Sequence, residues 1–420
     1  MQWVCCSFHV CAIPGAWMSV LGFTHSAALK DAASQPRETW WRGPRYVVEV
    51  FDGADDALDA LEAVQNGLAS TGALQSMGFQ SLNWLTVHYE EMAPAMRAMP
   101  RVVIVTERNS GEVALILPLV IKKKRSLRVA RFADLGVSDY GAPILGPAVL
   151  TKQRSMRRAW RAARKALHDV DLIRLEKMPA EIGGRPNPLI TQRGIAPSRR
   201  SGTMLTVPGT VQQYLSERDQ SFRDDLGRAM RLWFHKGGFR FARATTPDAI
   251  AHAYAVLEEQ QAARHAALGT KNVLGDASHR QFYERLVMDG SEVGLGHIFT
   301  LEAGGETVAV LFGILHDGTF TLLRLSRAGD AWKKLFPGRL ICLEVMRYFV
   351  DHGVTRFDFG LGEHPFKSGF GVEDVPLYDL IVARDLAGVP RATFHRVKGR
   401  MRKNPRLRAF YRRWLGPKRG

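Results

Sequence analysis

Residues 332–349 read WKKLFPGRLICLEVMRYF. Pro337 and Gly338, the two residue types least suited to a helix interior, stand where an amphipathic run begins. Proline fits the first helical position, because its missing N–H would have no partner there anyway. A helix opened this way leaves first-turn N–H groups unpaired, and with the positive end of the helix dipole they favour an anion. The plainer alternative is a surface turn flanked by solvated lysines. The choice depends on what surrounds the stretch.

Working outward, the chain repeats itself. Residues 102–119 read VVIVTERNSGEVALILPL and residues 296–313 read GHIFTLEAGGETVAVLFG. In both, an apolar strand ends in Thr (Thr106, Thr300), a polar turn leads to Gly-Glu at Gly111 and Gly305, and a second apolar strand follows. Each copy has the pattern of a β-hairpin. Helical periodicity precedes each one, at 57–70 and 81–92 in the first half and at 247–267 and 279–290 in the second. After each comes a β segment, a helix and a strand, the second set being 320–329, 339–353 and 354–362. A helix-helix-hairpin-strand-helix-strand order occurring twice predicts two mixed α/β domains of one fold.

Length and composition agree. A chain of 420 residues, 46% hydrophobic, can bury two cores. The expected division is a leader over 1–43, a first domain over 44–180, a linker over 181–200 and a second domain over 201–390. A basic tail over 391–420 completes the chain. The net charge is +17, and from Arg391 to Gly420 there is no acidic residue. Cys5, Cys6, Cys11 and Cys342 show no paired metal-ligand spacing, so neither a disulfide framework nor a metal is expected. No apolar run is long enough for a membrane-spanning helix, and the first 23 residues lack a basic export signature. A cytoplasmic protein, peripheral to the inner membrane if the tail binds lipid, is the expectation.

The order of elements, with Pro-Gly before the last long helix, resembles a tandem GNAT acyltransferase. The resemblance is to the CelD-like branch associated with cellulose and exopolysaccharide biosynthesis, a relative of the FemAB-like transferases. It is carried by FQSLNWL (79–85), LPL (117–119), VSDYGAP (137–143), SFRDDLGRAMRLWFHKGGFRF (221–241), HRQFYERL (279–286), FPGRL (336–340) and RFDFGLGEHPFKSGFG (356–371). The chain departs from the family pattern at Phe336, Phe366 and Gly329-Asp330, so no tyrosine proton donor is expected at those places.

The resemblance implies an N-acyltransferase using acetyl-CoA or another acyl-CoA as co-substrate, with an amine on a small molecule or saccharide as acceptor. Pro337, Gly338, Arg339 and Leu340 would then hold the pyrophosphate, helped by Lys333 and Lys334. A main-chain N–H of the strand in 320–326 would polarise the thioester oxygen. Alternation over 354–359 puts Val354, Arg356 and Asp358 on one face, with Asp358 near the strand's end. Asp358 and Glu363 are the candidate proton acceptors. Lys367, expected to be exposed and therefore charged, is assigned to phosphate or substrate. Asp139, in a Gly/Pro-rich loop, is assigned to the acceptor in a groove between the domains. Two other readings stand beside this one: aminoacyl transfer from tRNA, as in FemAB-like relatives, and a non-catalytic protein binding RNA or anionic membrane through 391–420.

Overall fold

The computed structural model describes residues 39–42, 45–68, 74–148, 152–362 and 365–394. The expected leader therefore lies almost wholly outside the described residues, as do Glu363 and the tail beyond Phe394.

The first half runs β1 (Thr39–Arg42), β2 (Tyr46–Asp52), α1 (Ala54–Leu68), α2 (Leu82–Val87), α3 (Ala93–Ala95), β3 (Ala98–Glu107), β4 (Val113–Lys124), β5 (Leu127–Phe132), β6 (Ile144–Leu145), α4 (Gln153–Ala166) and β7 (Leu172–Pro179). Short strands β8 (Glu181–Ile182), β9 (Arg185–Pro186) and β10 (Ile195–Pro197) follow. The second half runs β11 (Gly202–Thr206), α5 (Val211–Ser216), α6 (Gln220–His235), β12 (Arg240–Ala244), α7 (Pro247–Ala267), α8 (Ala277–Glu292), β13 (Gly296–Ala303), β14 (Glu306–His316), β15 (Thr319–Arg327), α9 (Pro337–Asp351) and β16 (Arg356–Leu361). It closes with α10 (Pro365–Ser368), β17 (Glu373–Val375) and β18 (Leu377–Ala383). The doubled order read from the sequence is present in both halves.

Local chemistry explains the boundaries. Thr246 accepts from the Ala249 N–H at the start of α7, and Asp276 accepts from Ser278 and His279 at the start of α8. These caps satisfy donors that the helix itself leaves unpaired. Gly304-Gly305 and Asp317-Gly318 both have positive φ at each residue, the twist that joins antiparallel strands through two residues. On α4, Met156, Ala159, Trp160 and Ala163 face inward while the arginines stay out, which fixes that helix on one face of the first sheet.

The first sheet has the order β1-β2-β3-β4-β5-β7-β18-β10, and the second β12-β13-β14-β15-β16-β11-β17. Each half contains one parallel pair, β5 with β7 and β15 with β16. The strand pairing crosses the division expected from the sequence. Leu377–Ala383, placed by that division in the second domain, pairs antiparallel with β7 of the first sheet. The expected linker over 181–200 supplies β10, which pairs with β18 in turn. The apolar side chains of this returning strand, Leu380 and Val382, complete the core beneath α4. One apolar cluster spans both halves, joining Trp84, Tyr89 and Tyr140 to Tyr254, Phe282 and Phe312. Among the described residues no helix is long and apolar enough to cross a membrane.

Candidate active site

The parallel pairing of β15 with β16 covers only Thr319↔Arg356, Phe320↔Phe357 and Thr321↔Asp358. Beyond that point β15 continues to Arg327 and β16 to Leu361 without pairing to each other, so the two strands splay. Main-chain groups of β15 are thereby turned into a gap that no neighbouring strand fills. Such groups are ready donors and acceptors for a ligand.

Asp358 stands at the apex of the splay. Phe357 and Phe359 point the other way, into the core under α9, so the period of two sends the carboxyl toward the first half. There the Tyr140 hydroxyl donates to Asp358 Oδ1 at 2.8 Å, and the Gly360 N–H donates to the same oxygen at 2.7 Å. Asp358 is 2% exposed. Burial raises its pKa to about 7; Asp139 pushes the same way, while the Gly360 and Tyr140 bonds and Lys367 oppose it. The Tyr140 hydroxyl is held far above its ordinary pKa, chiefly by burial and then by Asp358, so it stays a proton-bearing donor. Strand alternation places Asp358 at this strand end, but nothing in the sequence names its partner. Tyr140 lies inside VSDYGAP, yet nothing local says that its ring crosses to the other half.

Asp139 sits at the same junction, where its Oδ2 accepts from the Leu361 N–H at 3.2 Å. The carboxylate thus lies between the halves and braces the 360–362 turn. Gly360 has φ +76, and a Cβ there would lie 2.3 Å from Asp139 Oδ2, so glycine is required twice over.

Lys367 differs from expectation. It is half-buried, and its ammonium donates to the carbonyls of Gly360, Leu361 and Gly362 at 3.2, 3.0 and 3.1 Å and lies 3.3 Å from Thr203 Oγ1. Burial lowers its pKa, while Asp139 and Asp358 raise it. An ammonium has three protons, and these acceptors already claim them. Lys367 thus clamps the turn beside Asp358 and is not a free phosphate ligand.

The head of α9 is partly closed by its own backbone. Phe336 is its N-cap in the left-handed region (φ 48), and its carbonyl accepts from both the Arg339 and the Leu340 N–H at 2.9 and 3.0 Å. Pro337 has no N–H, so among the described residues only the Gly338 N–H of this turn is unclaimed. The Arg339 guanidinium lies over the rings of Phe222 and Phe336 and 3.6 Å from Asp225. The two rings and the distant carboxylate hold the cation in place, but its buried Nε and Nη1 have no hydrogen-bond partner among the described residues. Gly338 itself does open onto the gap: a Cβ there would lie 3.6 Å from Leu325 of β15 and 3.9 Å from Phe366. Lys333 and Lys334 are exposed just before the helix. The residues present therefore suit a phosphate-bearing group through one N–H, a close backbone and two lysines.

Arg324, which sequence reading passed over, lies on β15 within the splay, 4.2 Å above the Tyr283 ring. Tyr283 in turn donates to the Val137 carbonyl of the Asp139 loop. Glu363 lies outside the described residues.

Residues 220–368 match the family model described as an acetyltransferase (GNAT) domain. The fold is a tandem GNAT fold. Among solved structures, FemX superposes with a TM-score of 0.50 at 12% identity, covering 70% of this chain and 91% of FemX. A conserved protein of unknown function from Bacteroides thetaiotaomicron gives 0.49 at 10% identity, covering 78% of this chain and 97% of its own. A tandem GNAT protein from the clavulanic acid biosynthesis pathway gives 0.42 at 14% identity, covering 80% and 99%. At these identities the similarity to FemX concerns the fold alone. No curated protein sequence matches the chain. Within the GNAT domain the match spans α6 to α10 and so contains the splay, the head of α9, Asp358 and Lys367.

Proposed function

We propose that the chain transfers an acyl group to an amine at the seam between its halves, with Asp358 as proton acceptor. The observation that carries this reading is a buried carboxyl, titrating near neutrality, at the apex of the β15–β16 splay. An acyl-CoA supplies the thioester; the head of α9, with Lys333 and Lys334, takes its phosphates. A main-chain N–H of β15 within the splay donates to the carbonyl oxygen as negative charge builds there. The amine nitrogen forms the new C–N bond, its proton passes to Asp358 directly or through water, and the C–S bond breaks to release the thiolate. Tyr140 positions the carboxyl, and Lys367 and Asp139 fix the backbone around it. The resemblance to the CelD-like branch points to a sugar or cell-envelope precursor as acceptor.

A second donor has one observation in its favour. Because Phe336 occupies two first-turn N–H groups of α9, the phosphate cradle is smaller than a helix head can offer. An aminoacyl ester on tRNA, the donor of FemAB-like relatives, would need no such cradle. Native mass spectrometry of the full chain against acyl-CoA species and charged tRNA decides between the two. Retention of a CoA thioester, followed by acyl transfer to an amine panel that Asp358→Asn slows at least tenfold, is the expected result. Retention of neither donor would sink the enzymatic reading.

A further inference from the structure

One end of the first sheet carries a feature that the acyl-transfer site does not use. A cleft of about 850 Å³ opens there, lined among others by Lys122, Lys123, Lys124, Arg199, Arg391 and Phe394. Its other two cations, Arg131 and Arg174, are matched by Glu176 at 3.9 and 2.7 Å. Its carboxylates are Glu176 and Asp379, while Lys122, Lys123, Lys124 and Arg199 have no ion pair among the described residues, so the cleft is positive on balance.

Beside it lies exposed apolar surface. Leu386, Val389 and Phe394 are 89%, 44% and 66% exposed, three large apolar side chains within nine residues. They are not on a loose end. Ala392 is buried against Leu127, Val129, Leu172 and Ile381, which seats the helical turn over 389–394 on the sheet. Gly388 packs so closely that a Cβ would lie 2.3 Å from the Asp171 carbonyl. The Asp171 N–H donates to Arg128, whose strand partner is Lys123. The apolar turn and the lysine run therefore share one end of the sheet.

We infer that this end docks on an anionic lipid bilayer. A nucleic acid would use the cations and could stack on Phe394, but it leaves Leu386 and Val389 in water. A protein interface would use the apolar residues, yet lysine is depleted from such interfaces. A bilayer surface uses both: lysines and arginines meet lipid phosphates while the apolar side chains enter the headgroup boundary. The chain continuing from Phe394 adds basic residues and no acidic one, with the same sign. The inference does not depend on the acyl-transfer reading.

The test is flotation of the full-length chain, tail included, with phosphatidylcholine vesicles with and without phosphatidylglycerol. Binding only to the anionic vesicles is expected, and it should weaken as salt rises. Lys122→Glu with Lys123→Glu should reduce it by about tenfold or more. Leu386→Ser with Phe394→Ser should reduce it several-fold while leaving affinity for single-stranded RNA unchanged. These four positions are at the surface, and circular dichroism verifies that the variants fold. Wild-type vesicle binding by both variants would overturn the inference and give the interaction to the tail alone. Equal binding to uncharged vesicles, RNA binding without vesicle binding, or complete competition by glycerol 3-phosphate would overturn it as well. The last outcome would mean a soluble phosphate ligand.

Discussion

Asp358 meets the requirement for a general base at neutral pH, a pKa near the working pH, because burial raises it and Tyr140 and Gly360 keep the rise within range. Acyl transfer should therefore climb with pH and level off above about 7, as Asp358 loses its proton. Asp358→Asn should lower kcat at least tenfold and abolish that limb, with donor affinity little changed; an unaltered pH–rate profile would remove Asp358 from the chemistry. Stability should move the opposite way. The folded protein holds the Asp358 proton up to about pH 7, whereas an unfolded aspartate releases it near its ordinary pKa of 3.8. The protonated carboxyl's contribution is thus fully present below the unfolded value and is lost as pH rises through 7. Urea unfolding of wild type and Asp358→Asn at pH 4 and pH 8 should show the difference between them shift by on the order of 4 kcal/mol against wild type. Tyr140→Phe removes a donor from the buried carboxylate, so the activity midpoint should move upward; a midpoint that stays put would show that the hydroxyl does not tune Asp358.

At the scale of elements, the head of α9 lets two accounts of Pro337-Gly338 be separated. Gly338 has ordinary helical backbone and room for a methyl group, so Gly338→Ala should fold normally and be stabilised by up to about 1 kcal/mol. Gly338→Glu keeps the backbone but sends a carboxylate toward Leu325 and Phe366, into the gap, where it competes for the positive helix end. Calorimetric titration should find CoA binding lost in the Glu variant and kept in the Ala variant, with both folded by circular dichroism. CoA affinity unchanged in the Glu variant would place the CoA phosphates away from the head of α9. The helix itself was legible from the sequence, since proline at the first position and the apolar spacing are local signals. That Phe336 would turn left-handed and spend its carbonyl on two first-turn N–H groups was not, because the short 3-10 helix over Asp330–Leu335 just before it sets the turn.

At the scale of the molecule, the site exists because two halves meet. Tyr140 reaches Asp358, Tyr283 reaches Val137, and Arg285 of α8 bonds Glu90 and Glu91 across the same seam. Gly202 of β11 allows the approach: a Cβ there would fall 2.3 Å from the Tyr140 hydroxyl. Gly202→Ala should push Tyr140 off Asp358 and slow acyl transfer as much as Tyr140→Phe does. Because both substitutions break one contact, the double variant should be no slower than either single one, within the few tenths of a kcal/mol that independent measurements allow. Additive losses would mean that Gly202 acts through some other part of β11.

The sequence by itself determined the doubled element order, the hairpins, the helix start at Pro337 and the candidacy of Asp358 and Asp139. Periodicity, turn residues and strand alternation are properties of neighbours in the chain, so they can be read without a fold. Tertiary structure decided the rest. It carried Leu377–Ala383 back into the first sheet, brought Tyr140 to Asp358 across 218 positions of sequence, and turned Lys367 from a solvent-facing charge into a clamp on three carbonyls. Each of these outcomes depends on burial and on partners far along the chain, and desolvation, which sets the Asp358 pKa, acts only once the two halves have closed around it.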